Sequence, residues 1–364
     1  MKILFYFGHP AQYLFLRATI KNLIENEHDV IILIKTKDVL EKLLQSDNLS
    51  YKNILIQARG DYKLSIIWSF FKRLFIIFPV LQKEKPSLLV GEDATLAILG
   101  RVLRINRICI TEDDYEVIKN LAQLAYPNTQ TILTPDICDV SKYRDKKIGY
   151  AGYMKLGYLH PKVFSPNPLV FDKYDLPDQL VLIRVAKLTA FHDDGAEGIS
   201  FRLLHKLITL VKSFKYSVRI SSEKSLPSEL EQYLLKINPS DMHHVLSKTI
   251  LLISDSQSMS VEAAMLGTPS IRFSSFTGKI SVLEELEHKY DLTYGIDPSS
   301  PELLLNKTEA LLKQHTLKSI FKERSKEMLK DKIDVTSFIT WFIENYPESA
   351  RVMRKDPDYQ YRFK

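Results

Sequence analysis

Residues 254–272 read SDSQSMSVEAAMLGTPSIR, and they set Asp255, Ser256, Ser258, Met259 and Glu262 where an apolar strand gives way to a helix. The free N–H groups and dipole at a helix start suit a phosphate or diphosphate. Glu262, about two turns further along, can accept hydrogen bonds from both hydroxyls of a ribose. The same residues also fit an ordinary helix start, in which Asp255 and Ser256 cap the first amides and Glu262 is a solvated surface residue.

Other polar residues recur directly after apolar runs. Gly8-His9-Pro10 follows the first run, and a neutral His9 can take a proton from an acceptor hydroxyl near pH 7. Its alternative role is a helix-start histidine bonded to the backbone. Glu92-Asp93 and Glu112-Asp113-Asp114 close two further runs, and carboxylates there can serve as a general base or hold sugar hydroxyls; Asp93 and Asp113 are the preferred pair. The cluster could also bind a divalent ion, but no His–carboxylate ligand spacing accompanies it, which makes metal the lesser reading. Arg184, near the end of a later run, can clamp a phosphate. His192 and Asp193 follow in a polar loop bracketed by Gly195 and Gly198, where they either meet ligand groups or fix the loop. Ser221, Ser222 and Glu223 suit a base or phosphate, or an N-cap before Pro227. His243 reads as a nucleobase contact or a structural residue.

Residues at so many strand ends need a sheet to hold them. Apolar runs at 3–7, 30–34, 87–91, 107–110 and 130–133 alternate with helical patterns, as do runs at 180–185, 217–221, 250–254 and 270–273. Such alternation predicts two parallel sheets with helices on their faces. Four prolines between Pro161 and Pro177 break the pattern and mark the junction. The expected domains are 1–165 and 166–345, with a basic tail at 346–364 that either frays or crosses back to the first domain. Residues 301–314, 317–330 and 335–345 read as helices, the last with Phe338, Trp341 and Phe342 at helical spacing for a core.

Bulk properties narrow the field. The 364 residues exceed one ordinary core, and 45% hydrophobic with 26% charged content is globular. The net charge of +6 is spread along the chain, which favours anionic small molecules over nucleic acid. Cys109 and Cys138 stand in apolar surroundings without metal spacing, which fits a reducing, cytoplasmic setting. Residues 65–82, SIIWSFFKRLFIIFPVLQ, are interrupted by Lys72, Arg73 and Pro79 and should not span a membrane. They form either a core helix or a face that rests on an anionic leaflet at the inner side of the plasma membrane.

The stretch at 254–272 resembles the nucleotide-sugar signature of the GT-B superfamily as it stands in UDP-N-acetylglucosamine 2-epimerases. Asp255, Ser256, Glu262, Ala263, Leu266, Gly267 and Pro269 match it, while Gln257 and Ser258 replace two glycines and Val261 replaces a glutamate. From end to end the chain also resembles the family called domain of unknown function 354, through FGHPAQYLF, ITEDD, YAGYMKLGYLHP, FHDDGAEGIS and ISSE. The resemblance implies a GT-B-like fold: two Rossmann-like domains facing a cleft, a nucleotide-sugar donor on the second and an acceptor on the first, with C-terminal helices packing back. It implies a metal-independent glycosyltransferase without a cofactor. The donor is expected to be UDP-linked and the acceptor a glycan or lipid-linked sugar of cell-surface polysaccharide or glycolipid. A non-hydrolysing UDP-sugar 2-epimerase and a non-catalytic nucleotide-sugar-binding protein are the alternatives. The epimerases' His-Arg-Arg motif is missing near Arg184.

Overall fold

The computed structural model describes residues 1–35, 39–55, 63–186, 198–223 and 225–364. Two compact units divide the chain: Met1–Tyr158 with Lys332–Lys364, and Leu159–Asp331.

In the first unit β1 (Lys2–Phe7), α1 (Pro10–Glu25), β2 (Asp29–Lys35), α2 (Leu40–Ser46), β3 (Lys52–Leu55) and α3 (Lys63–Glu84) follow in order. Next come β4 (Leu88–Gly91), α4 (Ala94–Val102), β5 (Asn106–Ile110), α5 (Lys119–Ala125), β6 (Thr131–Pro135), β7 (Lys147–Tyr150) and α6 (Leu156–Leu159). The seven strands are parallel in the order β3-β2-β1-β4-β5-β6-β7. Ile3, Leu4, Phe5, Tyr6 and Phe7 are all buried, as a central parallel strand covered on both faces requires. The winding reverses between β1 and β4, because β2 and β3 extend the sheet on one side and β4 opens the other.

The second unit holds α7 (Leu169–Lys173), β8 (Leu180–Val185), α8 (Phe201–Ser213), β9 (Ser217–Ser222), α9 (Met242–Lys248), β10 (Leu251–Ser254) and α10 (Gln257–Met265). After these come β11 (Ser270–Phe273), α11 (Ser281–His288), β12 (Tyr294–Ile296), α12 (Pro301–Leu312) and α13 (Leu317–Asp331). Its five strands are again parallel, in the order β12-β11-β10-β8-β9, and reverse between β8 and β10. Each unit is therefore a Rossmann-like α/β sheet, as the alternation of apolar runs predicts. Strands β3, β7 and β12 were not expected; each lies at the edge of its sheet and has four residues or fewer.

The boundaries differ from the expected 166–345 and tail. α14 (Val335–Glu344) belongs to the first unit, followed there by α15 (Glu348–Lys355) and the 3₁₀ turn Pro357–Phe363. Asn22 on α1 donates to Thr340 at 3.4 Å and Asn26 to Glu344 at 2.6 Å. Phe338 and Phe342 are fully buried, with Phe338 6.1 Å from Tyr150 of β7 and Trp341 stacked 4.8 Å from Tyr359. Gln360 accepts from the Ala151 amide at 2.6 Å. The aromatic spacing correctly marks a buried face, but that face packs on the first sheet.

α10 ends at the Leu266-Gly267-Thr268-Pro269 corner. Gly267 has φ +63, and a Cβ there would lie 2.9 Å from the Lys322 Cα. Gly267→Ala therefore combines left-handed strain with a backbone clash, and urea denaturation should show a loss of roughly 1–3 kcal/mol.

Candidate functional site

Ligands in open parallel sheets bind beyond the carboxyl ends of the strands, where the winding reverses. In the first unit that point lies between β1 and β4. Gly8 and His9 leave β1 and start α1, and Gln12 turns its Oε1 back to accept from the Gly8 amide at 2.9 Å and the His9 amide at 3.2 Å. His9 caps α1, its Nδ1 accepting from the Ala11 amide at 3.1 Å. With Nδ1 engaged, the neutral ring carries its proton on Nε2. His9 then offers a donor at Nε2 and stands as the helix-start histidine of the alternative reading.

Glu92 follows β4 and is held from both sides of the reversal. Gln12 Nε2 donates to its Oε2 at 2.9 Å and Thr111 Oγ1, after β5, to its Oε1 at 2.5 Å. Burial, reinforced by the negative charge of Asp113, pushes the Glu92 carboxyl up to about 8. The remaining acids of the cluster do different work. Asp93 is buried and caps α4, accepting from the Thr95 amide at 2.8 Å and the Leu96 amide at 3.2 Å, while Arg73 donates to it at 2.8 Å. Glu112 accepts from the Met154 amide at 2.5 Å and pairs with Lys155 at 3.2 Å. Asp114 accepts from the Asp139 amide at 2.7 Å. Asp113 is partly buried, its amide bonded to Thr111 at 3.2 Å. The preference for Asp93 is thus corrected: its carboxylate is committed to a helix cap and an ion pair, and the carboxyl raised at the reversal is that of Glu92, with the charge of Asp113 acting on it.

In the second unit the reversal lies between β8 and β10. Arg184 on β8 donates from Nη1 to Ser221 Oγ at 2.8 Å and from Nη2 to Glu223, both at the end of β9. Ser221 is buried, Ser222 partly buried and Glu223 exposed. Ser256 caps α10, accepting from the Met259 amide at 3.5 Å, and Ser258 is exposed in the first turn. Glu262 lies one face further on and meets His243 of α9, with Oε1 3.3 Å from Nε2. The ring of Phe164 stands edge-on to His243 at 6.2 Å and stacks on His244 at 4.9 Å. The unit thus brings together Arg184 with Ser221 and Glu223 at the ends of β8 and β9, and His243 with Glu262 between α9 and α10.

Two expected ligand contacts point inward instead. Asp255 is buried and accepts from the Ala186 amide at 2.7 Å and the Ile199 amide at 3.2 Å, which ties the exit of β8 to the approach to α8. Met259 is buried in a cluster with Leu182, Leu246, Leu252 and Ala263. His192 and Asp193 lie outside the described residues. Gln257, where the epimerase signature has glycine, turns its Nε2 to Ser274 Oγ at 2.6 Å. Among the described residues no group of three or more His, Cys, Asp or Glu side chains is placed to hold a metal ion.

Sequence reasoning missed Gln12 and Thr111. Gln12 is the third residue after the cap, the spacing of a capping box, and could have been found by that rule. Thr111 gives no such signal, since only the pairing of β4 with β5 brings it to Glu92.

Comparison with solved structures finds this architecture elsewhere. S. aureus MnaA in a co-structure with UDP superposes with a TM-score of 0.67 over 96% of this chain and 97% of that one, at 14% identity. The fold is of the GT-B type. UDP-GlcNAc 2-epimerase from Neisseria meningitidis, bound to UDP-GlcNAc, gives 0.60 over 91% and 99% at 16% identity. The spinosyn rhamnosyltransferase SpnG gives 0.62 over 92% and 97% at 14% identity. GT-B-like proteins of at least two activities therefore share this frame. No family model matches the chain, so its resemblance to domain of unknown function 354 rests on the motifs alone. No curated protein matches it either.

Proposed function

We propose that this GT-B-type chain is an enzyme acting on a nucleotide-sugar, and that it transfers the sugar to a hydroxyl of a glycan or lipid-linked acceptor in cell-surface polysaccharide or glycolipid assembly. The observation that carries this reading is Glu92, a carboxyl raised to about 8 at the winding reversal of the first unit. Such a group is matched to proton transfer near neutral pH. Glu92, with Asp113 beside it, would take the proton of the acceptor hydroxyl as the sugar carbon is attacked. In the second unit Arg184 and the first amides of α10 supply positive charge for the departing nucleoside diphosphate. Glu262, held by His243, accepts from the ribose hydroxyls. Two of the structures of this fold carry UDP or UDP-GlcNAc, which favours a uridine nucleotide here.

Two assays test the proposal. In calorimetric titration UDP should bind, and Glu262→Ala should weaken it about tenfold by removing hydrogen bonds to the ribose. Failure of UDP and of other nucleoside diphosphates to bind would overturn the reading. Incubation with UDP-GlcNAc alone should then leave the sugar unchanged, with nucleotide released only when an acceptor is added.

A second reading, the non-hydrolysing UDP-sugar 2-epimerase, is favoured by the UDP-N-acetylglucosamine 2-epimerase structures that superpose at 0.60 to 0.67. Against it stand Gln257 and Ser258 in place of two glycines, and the missing His-Arg-Arg. Formation of the 2-epimer without acceptor would decide for it. Nucleotide binding with no turnover under any acceptor would leave the non-catalytic reading.

A further inference from the structure

We propose that the solvent face of α3 is a docking surface for an anionic lipid bilayer. Trp68, Phe71 and Phe75 are 73%, 49% and 77% exposed on this one helix. At 3.6 residues per turn, these rings fall with Lys72, Pro79 and Lys83 inside an arc of about 120° that runs about 22 Å along the axis. The opposite side is committed to the first unit: Ile77, Val80 and Leu81 are buried in a cluster with Leu4, Leu89 and Leu96, and Arg73 reaches back to Asp93. The exposed rings are therefore a second apolar face, separate from the one that folds the helix.

The charges on this face name its partner. Lys72 and Lys83 are exposed and enter no ion pair among the described residues. No exposed residue between Trp68 and Lys83 is acidic. Large aromatic rings beside unpaired lysines match the boundary between acyl chains and anionic headgroups, where rings enter and ammonium groups stay at the surface. A second copy of this chain would bring the same lysines to the contact and no carboxylate of the stripe to meet them. The helix lies on the bilayer rather than through it, since no described helix is long and apolar enough to cross a membrane. Where the proposed transfer reading holds, this contact brings the enzyme to lipid-linked acceptors; the docking itself does not depend on it.

Sedimentation with vesicles tests the surface without any nucleotide. The chain should pellet with equal parts phosphatidylcholine and phosphatidylglycerol, more weakly with phosphatidylcholine alone, and less as salt is raised. Trp68→Ala and Phe75→Ala should each lower partitioning about tenfold. Lys72→Glu and Lys83→Glu should each lower it about fivefold or more. All four side chains are exposed, so melting temperature and UDP binding should stay at the parent values. In a Trp341→Phe background, Trp68 emission should shift to the blue on addition of the mixed vesicles. Absence of vesicle binding, equal binding to the two lipid mixtures, or unchanged binding by the aromatic variants would overturn the proposal. A dimer that Trp68→Ala dissociates, in place of vesicle binding, would assign the face to a second copy instead.

Discussion

Glu92→Gln should lower turnover by roughly two to four orders of magnitude while leaving UDP affinity near the parent value. The substitution keeps the size of the side chain and its bonds to Gln12 and Thr111 within reach, and removes only the proton site. Parent turnover should climb as pH rises toward about 8, where the carboxyl ionises, and level off above it. Asp113→Asn removes the like charge that helps to raise Glu92, so the rising limb should move to lower pH. A limb that keeps its position and height in Glu92→Gln would remove Glu92 from the reaction. The same carboxyl also shapes stability. Folded Glu92 holds its proton to about 8, whereas the ordinary value is 4.5, so between these the folded state binds the extra proton. Stability from this group is complete below the ordinary value and is lost as pH rises through the folded one. Urea midpoints taken across that window should show the decline in the parent and a flatter course in Glu92→Gln.

Asp255→Ala should be the most damaging single change in the second unit. Its carboxylate is buried and accepts from the amides of Ala186 and Ile199, which no other described acceptor serves. Two charge-assisted bonds of this kind are worth about 3–5 kcal/mol together. Chemical denaturation should show the loss as an earlier transition of the second unit, and UDP affinity should fall with it although Asp255 itself is buried on two backbone amides. A variant as stable as the parent would show that these amides find water instead.

The central strands could be read directly because strands covered on both faces are continuous apolar runs, as in Ile3–Phe7 and Leu180–Ile183. Short edge strands such as Tyr294–Ile296 lack that run. The site was legible as a set of strand ends, but not in the duties of its members. An aspartate just before a helix serves equally as cap or as ligand contact, and the choice for Asp93 depends on Arg73, twenty residues away. For Asp255 it depends on Ala186 and Ile199, on other elements altogether. Glu92 and Asp93 are neighbours of similar chemistry. They part only because successive residues at a strand end face opposite ways, one toward Gln12 and Thr111 and the other into α4. Helical spacing of Phe338 and Phe342 announced a buried face without naming the sheet beneath it.

Because residues 332–364 complete the unit that residues 1–158 begin, that unit is entered before the other during synthesis and is finished after it. Its sheet can assemble early, but the surface awaiting Phe338 and Phe342 stays uncovered until synthesis has passed through all of 159–331. The intervening unit is contiguous and can close on its own schedule. A chain halted near Asp331 would accordingly hold a finished second unit and a protease-sensitive first one, and adding residues 332–364 in trans would be the way to rescue it.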